Sequence, residues 1–291
     1  MEAMLMKIGF IGTGVMGRSM AHHLLDVDYP LNVYNRTKEK ADSLVEKGAE
    51  WKDSPAEIAA SSDLVFTIVG YPEDVEEVYF GENGIFQELT SDKIVVDMTT
   101  STPALAQKIA EKAAEIGAQA LDAPVSGGDI GAKEGRLTVM VGGEKETFEK
   151  IQPIMENFST ELRLFGPAGS GQHTKMVNQI MVAGTMTGMI EMFAYAQKAG
   201  LNLAEVVKTV SGGAAQNRSL DNYGPRIIKE DYSPGFFVKH FVKDLKIALN
   251  EAKAMNLELP ATQQAFELYK SLEDKGYGDE GTQALIKLWW S

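Results

Sequence analysis

The chain has 291 residues, which suits two domains of about 100–200 residues each better than a single core. Its 28 Lys and Arg against 41 Asp and Glu give a formal charge of −13, a balance that disfavours non-specific nucleic-acid binding because phosphate neutralisation needs clustered cations. Cysteine is absent, so disulfides, thiolate catalysis and Cys-based metal sites are excluded.

Lys7–Ile11 is a short apolar run ending at glycine and reads as a buried strand. A helix over Val15–Leu25 follows, then a strand over Leu31–Tyr34 and a helix over Lys38–Lys47 ended by Gly48. Leu64–Val69 is a strand, and after the turn Gly70-Tyr71-Pro72 a helix runs through Val75–Phe80. A strand at Ile94–Asp97 leads to a helix at Pro103–Ile116, with proline in its first turn and Gly117 past its end. Ala120–Asp122 and Leu137–Val141 read as further strands. This alternation predicts an α/β fold whose N-terminal part is a doubly wound parallel sheet.

The pattern changes after Gly171. Thr174–Lys198 reads as one helix roughly 37 Å long, enough to join two domains. Its small residues Ala183, Gly184 and Gly188 suggest close helix packing. Helices are then expected at Leu203–Val210, Leu220–Lys229, Val242–Met255, Ala261–Lys270 and Thr282–Trp289. The expected division is a Rossmann domain over 1–166 and an all-helical domain over 167–291. No stretch of about 20 apolar residues marks a membrane span. Met1–Met6 runs into the first strand without a signal-peptide layout, so cytoplasmic residence is the expectation. His22 and His23 are adjacent on a helix and do not share a face, so they read as a hydrated surface pair rather than a metal site. No metal dependence is expected.

Gly12-x-Gly14-x-x-Gly17 sits between a strand and a helix. The first glycine allows the tight turn, the second lets backbone approach a pyrophosphate, and the third permits helix–strand contact. Val15 and Met16 lie inside this turn, at a helix N-terminus that favours phosphate. An NAD site wants an acid at the tip of the second strand, to bond the ribose 2′-hydroxyl. Here the tip is Asn35-Arg36-Thr37, which offers donors and a guanidinium to a 2′-phosphate, so NADP(H) is expected over NAD(H). The same residues also read as an ordinary polar turn with Thr37 as a helix cap. Val69, ending its strand, is placed with the cofactor-binding residues.

Asp122-Ala-Pro-Val-Ser126-Gly127-Gly128 supplies a hydroxyl and consecutive backbone N–H groups, which can form a nest for a carboxylate. Standing alone it would pass for a Pro/Gly loop. Thr99-Thr100 ends a strand at the carboxyl edge where ligands of open α/β sheets bind. Ser101 or Thr102 can cap the next helix, which leaves these threonines available. Gly166 to Asn178 is a glycine-rich turn feeding a helix, with Lys175 and Asn178 three residues apart on one face. A bound nicotinamide needs a proton donor or acceptor near the carbon that exchanges hydride, and Lys175 is the candidate. Lys243-Asp244, preceded by Phe236 and Phe237, begins a predicted helix and reads equally as surface charge beside a core.

Together GFIGTGVMG at 9–17, DAPVSGG at 122–128, GSGQHTKMVNQ at 169–179 and KDLKIA at 243–248 resemble the 3-hydroxyacid dehydrogenase family over nearly the whole chain. That family includes 3-hydroxyisobutyrate dehydrogenase, tartronate semialdehyde reductase and glyoxylate/succinic semialdehyde reductase. The resemblance implies a Rossmann domain joined by a long helix to a helical one. It implies Lys175 as the catalytic general acid/base and Asn178 as the residue that orients the substrate or that lysine. Ser126, Gly127 and Gly128 would bind the substrate carboxylate, Thr100 would lie near substrate and nicotinamide, Lys243 near the cofactor, and Phe236 and Asp244 would line the substrate pocket. The implied partners are a small carboxylate-bearing aldehyde or hydroxy acid and further copies of the chain, as a homodimer or homotetramer. Retention of Lys175 speaks against the two alternatives on this scaffold, an imine reductase and a non-catalytic NADPH-binding protein. Trp289-Trp290 hints at an apolar docking surface, within the chain or between chains, and Arg136 and Arg218 could reach a second substrate anion but read rather as surface residues.

Overall fold

A computed structural model describes residues 6–290; Met1 to Leu5 of the N-terminal stretch lie outside the described residues. The chain divides into two compact units at Lys175/Met176, within one helix.

In the first unit, parallel strands run in the spatial order β3-β2-β1-β4-β5-β6. They are β1 (Ile8–Ile11), β2 (Leu31–Tyr34), β3 (Glu50–Trp51), β4 (Leu64–Thr67), β5 (Ile94–Asp97) and β6 (Gln119–Asp122). The order reverses between β1 and β4, the switch point at which open α/β sheets bind ligands. Side chains alternate across the sheet. Ile8, Phe10, Leu64, Phe66, Ile94 and Val96 join one core, shared with helices α1 (Val15–Asp26), α2 (Asp42–Glu46) and, past the parallel strands, α7 (Lys145–Met155). Ile11, Val65 and Val95 face the other core, with α3 (Pro55–Ser61), α4 (Pro72–Phe80) and α5 (Pro103–Glu115). Both faces are therefore covered, which is why the strands read as nearly continuous apolar runs.

At one edge the sheet adds strands that are not all parallel. β7 (Val125–Ser126) and β6 both pair antiparallel with β8 (Leu137–Gly143), and β9 (Ser159–Leu164) then pairs parallel with β8. The link from β6 to β8 holds only β7 and the six-residue helix α6 (Gly128–Lys133), too little for another crossover. The histidine pair is also less solvated than expected. Both are half-buried, and the His23 ring bonds the carbonyl of Ala132 at 3.0 Å, which ties α1 to α6.

The second unit is helical: α8 (Ser170–Lys198, begun in the first unit), α9 (Leu203–Ser211), α10 (Arg218–Ile228), α11 (Val238–Ala254) and α12 (Pro260–Leu272). Its core gathers Met186, Ile190, Phe193, Phe241, Leu245, Tyr269 and Leu285. Trp289 and Trp290 pack against it, Trp290 edge-on to Phe193 at 6.3 Å, so their docking surface lies within the chain. The helix expected at Thr282–Trp289 is a 3-10 helix over Thr282–Leu288. Of the small residues of α8, Ala183 is buried in this core, whereas among the described residues nothing lies within 4 Å of where a side chain at Gly184 or Gly188 would begin. No helix of the described residues is long and apolar enough to cross a membrane.

Candidate active site

The glycine turn has the geometry its spacing predicts. Gly12 has φ +95°, and a Cβ there would overlap the carbonyl oxygen of Ile68. A Cβ at Gly17 would overlap the carbonyl oxygen of Gly12, so α1 packs on the turn only with glycine at that position. Gly14 is different: nothing lies within 4 Å of its Cβ position. It caps α1 without a side chain, which leaves the first helical N–H groups to be satisfied from outside. Thr13 Oγ1 is buried and has no hydrogen-bond partner among the described residues. Open space at Gly14, uncapped N–H groups and an orphaned hydroxyl are what a dinucleotide pyrophosphate would fill, and the residues fit that group. Val15 is half exposed and Met16 partly buried beside them.

The tip of β2 carries no carboxylate. Asn35 Oδ1 accepts the Thr13 N–H at 3.0 Å and its amide donates to the Thr37 carbonyl at 2.8 Å, so Asn35 braces the glycine turn. The Arg36 side chain is 86% exposed and pairs with Asp74 at 3.1 Å. Thr37 stands at the cap position of a 3-10 turn over Lys38–Ala41 without a capping bond from its side chain.

The loops after β4 and β5 are joined. The Val69 N–H donates to Thr99 Oγ1 at 3.0 Å. Asp97, almost fully buried, accepts the Thr99 N–H at 3.1 Å and the Thr67 hydroxyl at 2.9 Å, both on Oδ1. Burial pushes its carboxyl up to about 6, against the opposing pull of those hydrogen bonds, and Asp122 nearby adds repulsion. Thr102 caps α5 through the Leu105 N–H at 3.2 Å, and Thr100 itself is half-buried.

Asp122 does something the sequence reading gave only to its motif. Its two carboxylate oxygens accept the N–H groups of Gly169 and Gln172, each at 2.8 Å, so a strand end caps the start of α8. Burial raises its carboxyl above the usual carboxylate range, and the backbone donors counter that rise. A side chain at Gly142 or Gly171 would crowd this cap. Lys175, five residues into α8, is 6% exposed. The turn after β7 places Gly127 at φ +136° and Gly128 at φ +68°, with Ser126 half-buried beside them.

In the second unit, Asn178 donates to Gln179 Oε1 at 2.8 Å, and Gln179 in turn donates to Asp244 at 2.6 Å. Asp244 is 1% exposed and also pairs with Lys243 at 3.1 Å. Both residues lie inside α11, which begins at Val238, four residues before the predicted start at Val242. Phe236 is half-buried, stacked on Phe241 at 5.4 Å. Arg136, paired with Glu134, and Arg218 are exposed. Sequence reasoning missed Asp97 and Gln172; a carboxylate closing the apolar run Ile94–Asp97 was the signal for the first, and Gln172 has no comparable local mark.

Fold and glycine turn together define a nicotinamide-dependent dehydrogenase of the Rossmann type. Residues 7–166 match the NAD binding domain of 6-phosphogluconate dehydrogenase. Residues 169–289 match the NAD-binding region of NADP-dependent 3-hydroxyisobutyrate dehydrogenase. An uncharacterized oxidoreductase of Bacillus subtilis is 53% identical over 282 residues, covering 97% of this chain and 98% of its own length. The 2-hydroxy-3-oxopropionate reductase of Escherichia coli is 38% identical over 282 residues, 97% of this chain and 96% of that one. A crystal structure of 3-hydroxyisobutyrate dehydrogenase from Salmonella typhimurium matches with TM-score 0.89 and 27% identity, covering 97% and 99% of the two chains. The chain belongs to the 3-hydroxyacid dehydrogenase family and is an NAD(P)-dependent hydroxyacid dehydrogenase.

Proposed function

We propose that the protein interconverts a small carboxylate-bearing semialdehyde and its hydroxy acid with NADP(H), and that Lys175 moves the proton. The observation that carries this reading is a lysine 6% exposed at the start of a helix capped by Asp122, in the same compact unit as the dinucleotide turn. Such seclusion suits a group that exchanges a proton with a reacting oxygen.

A bound nicotinamide supplies hydride exchange with the carbonyl carbon. In reduction, Lys175 as ammonium gives a proton to the developing alkoxide oxygen of the substrate. In oxidation, Lys175 as neutral amine takes the hydroxyl proton. Ser126 and the N–H groups of Gly127 and Gly128 hold the carboxylate, which fixes the carbon presented for reaction. Thr100 lies on the substrate side of its loop. Asn178, braced by Gln179, orients the substrate or Lys175. The glycine turn, Asn35, Arg36, Thr37 and Val69 bind the dinucleotide. The roles of Lys243, Phe236 and Asp244, and assembly as a homodimer or homotetramer, rest on the family motifs.

Preference for NADP(H) is supported by the absence of a carboxylate at Asn35-Arg36-Thr37. Arg36 is held only by one exposed ion pair, worth little in water, so a 2′-phosphate can recruit it. The test is loss of nicotinamide absorbance with NADPH and NADH across methylmalonate, succinic and tartronate semialdehydes and glyoxylate. Turnover of at least one aldehyde, with the larger kcat/KM for NADPH, is expected. Silence with every aldehyde despite measured NADPH binding would defeat the reading.

A further inference from the structure

Gln172 is fully buried at the first turn of α8, three residues before Lys175. Three hydrogen bonds tie it to residues outside α8. Its backbone N–H donates to Asp122 Oδ2 at 2.8 Å. Its side-chain Nε2 donates to the Thr99 carbonyl at 2.8 Å, and its Oε1 accepts the Ser101 N–H at 2.9 Å. The two side-chain bonds straddle Thr100, as a neighbouring strand would grip one residue of a ladder. A carboxamide presents a donor and an acceptor side by side, which matches the carbonyl and the N–H on the two sides of one residue.

The flanking residues have no slack. Thr99 and Ser101 are each 1% exposed, and Thr99 is held further by Asp97 and by the Val69 N–H. Thr100 is thus suspended between two fixed peptides, and the residue that fixes them starts the helix bearing Lys175. An apolar residue would fill the same volume, so packing alone does not call for an amide here. Instead the amide transmits the position of α8 to the Thr100 loop.

The geometry points to Gln172 as a positioning residue of the reaction, locking the Thr100 loop to the helix that carries Lys175. This rests on the roles given above to Thr100 and Lys175. Hydride and proton transfer are sensitive to displacement on the ångström scale, where about 100-fold in rate is at stake. Loss of the clamp should therefore lower kcat while binding persists.

The experiment compares wild type with Gln172→Met, which keeps the volume and loses both bonds, and Gln172→Glu, which keeps the acceptor for Ser101 and loses the donor to Thr99. For Gln172→Met, kcat should fall by about 30-fold or more, with KM for the aldehyde and the NADPH dissociation constant within about threefold. The isotope effect on kcat with NADPH deuterated at the transferred position should grow, and the Ser101 amide should exchange hydrogen faster. Gln172→Glu should fall between, and it is judged by the same criteria if Gln172→Met does not fold. Faster exchange at Ser101 with unchanged kcat would overturn the role, as would a parallel loss of kcat and NADPH binding. A wild type that reduces no aldehyde would refute the functional reading and this role with it; normal turnover in Gln172→Met would refute the role alone.

Discussion

Replacing Asp97 by asparagine should make the pH dependence of stability smaller by an amount that follows from its burial. The carboxyl titrates at about 6 in the folded protein, against an ordinary 3.8 in the unfolded chain. A difference of about two units corresponds to roughly 3 kcal/mol. The native state holds this proton more tightly, so the sign is opposite to that of a salt-bridged aspartate. Above about pH 6 the buried carboxylate is ionised, and the fold bears the whole cost. As pH falls from 6 towards 3.8 the native carboxyl protonates first and the cost is relieved; below 3.8 both states are protonated and nothing further changes. Asparagine can keep the native contacts, because the Thr67 hydroxyl and the Thr99 N–H both converge on Oδ1. Urea unfolding of both proteins from pH 4 to 7.5, followed by circular dichroism, gives the difference in which all other titrations cancel. Asp97→Asn should gain roughly 2 kcal/mol over wild type between pH 4 and pH 7, the rest of the difference lying below pH 4. A difference that stays flat within about 1 kcal/mol would refute the claim that burial governs this carboxyl.

Other outcomes follow from the same geometry. Lys175→Ala should lose about 1,000-fold in kcat with NADPH affinity intact; near-normal turnover in that variant would remove the proton-transfer role. Arg36→Glu should reverse the cofactor preference, lowering kcat/KM for NADPH by about 100-fold while sparing NADH, since a carboxylate there repels a 2′-phosphate and can bond a ribose hydroxyl. Gly17→Ala should destabilise the first unit by about 3 kcal/mol and weaken binding of either cofactor, read by melting and by nicotinamide fluorescence, because its methyl would overlap the Gly12 carbonyl.

The strands that build the site were legible for a physical reason. β2 and β5 were predicted to the residue because each is a short, largely apolar run whose two ends meet turn residues. β3 and β9 were missed because each is exposed along much of its length, so neither shows a buried run. The helix α7 was missed because Pro153 lies inside it, a residue that normally ends a helix. Lys38–Lys47 reads as one helix but is a 3-10 turn followed by a short α-helix, a distinction that periodicity over so few residues cannot make. At the site, the glycines were legible because each answers a local backbone demand. Gln172 was not, because its partners lie more than 70 residues away and nothing local marks it. Asp97 was read as the last residue of a strand, yet the chemistry of its carboxyl comes from neighbouring strands.

The cap that Asp122 places on α8 has a consequence for anyone who would recombine this enzyme with a relative. The two matched segments part between residues 166 and 169, which suggests a natural place to join halves of different origin. That join would splice a foreign Gly169–Lys175 stretch onto this chain's Asp122, Thr99 and Ser101, and every bond of the mount would then depend on two histories. The compact units part later, at 175/176. A graft made there keeps strand end, clamp and lysine from one parent, and only the remainder of the helix changes owner.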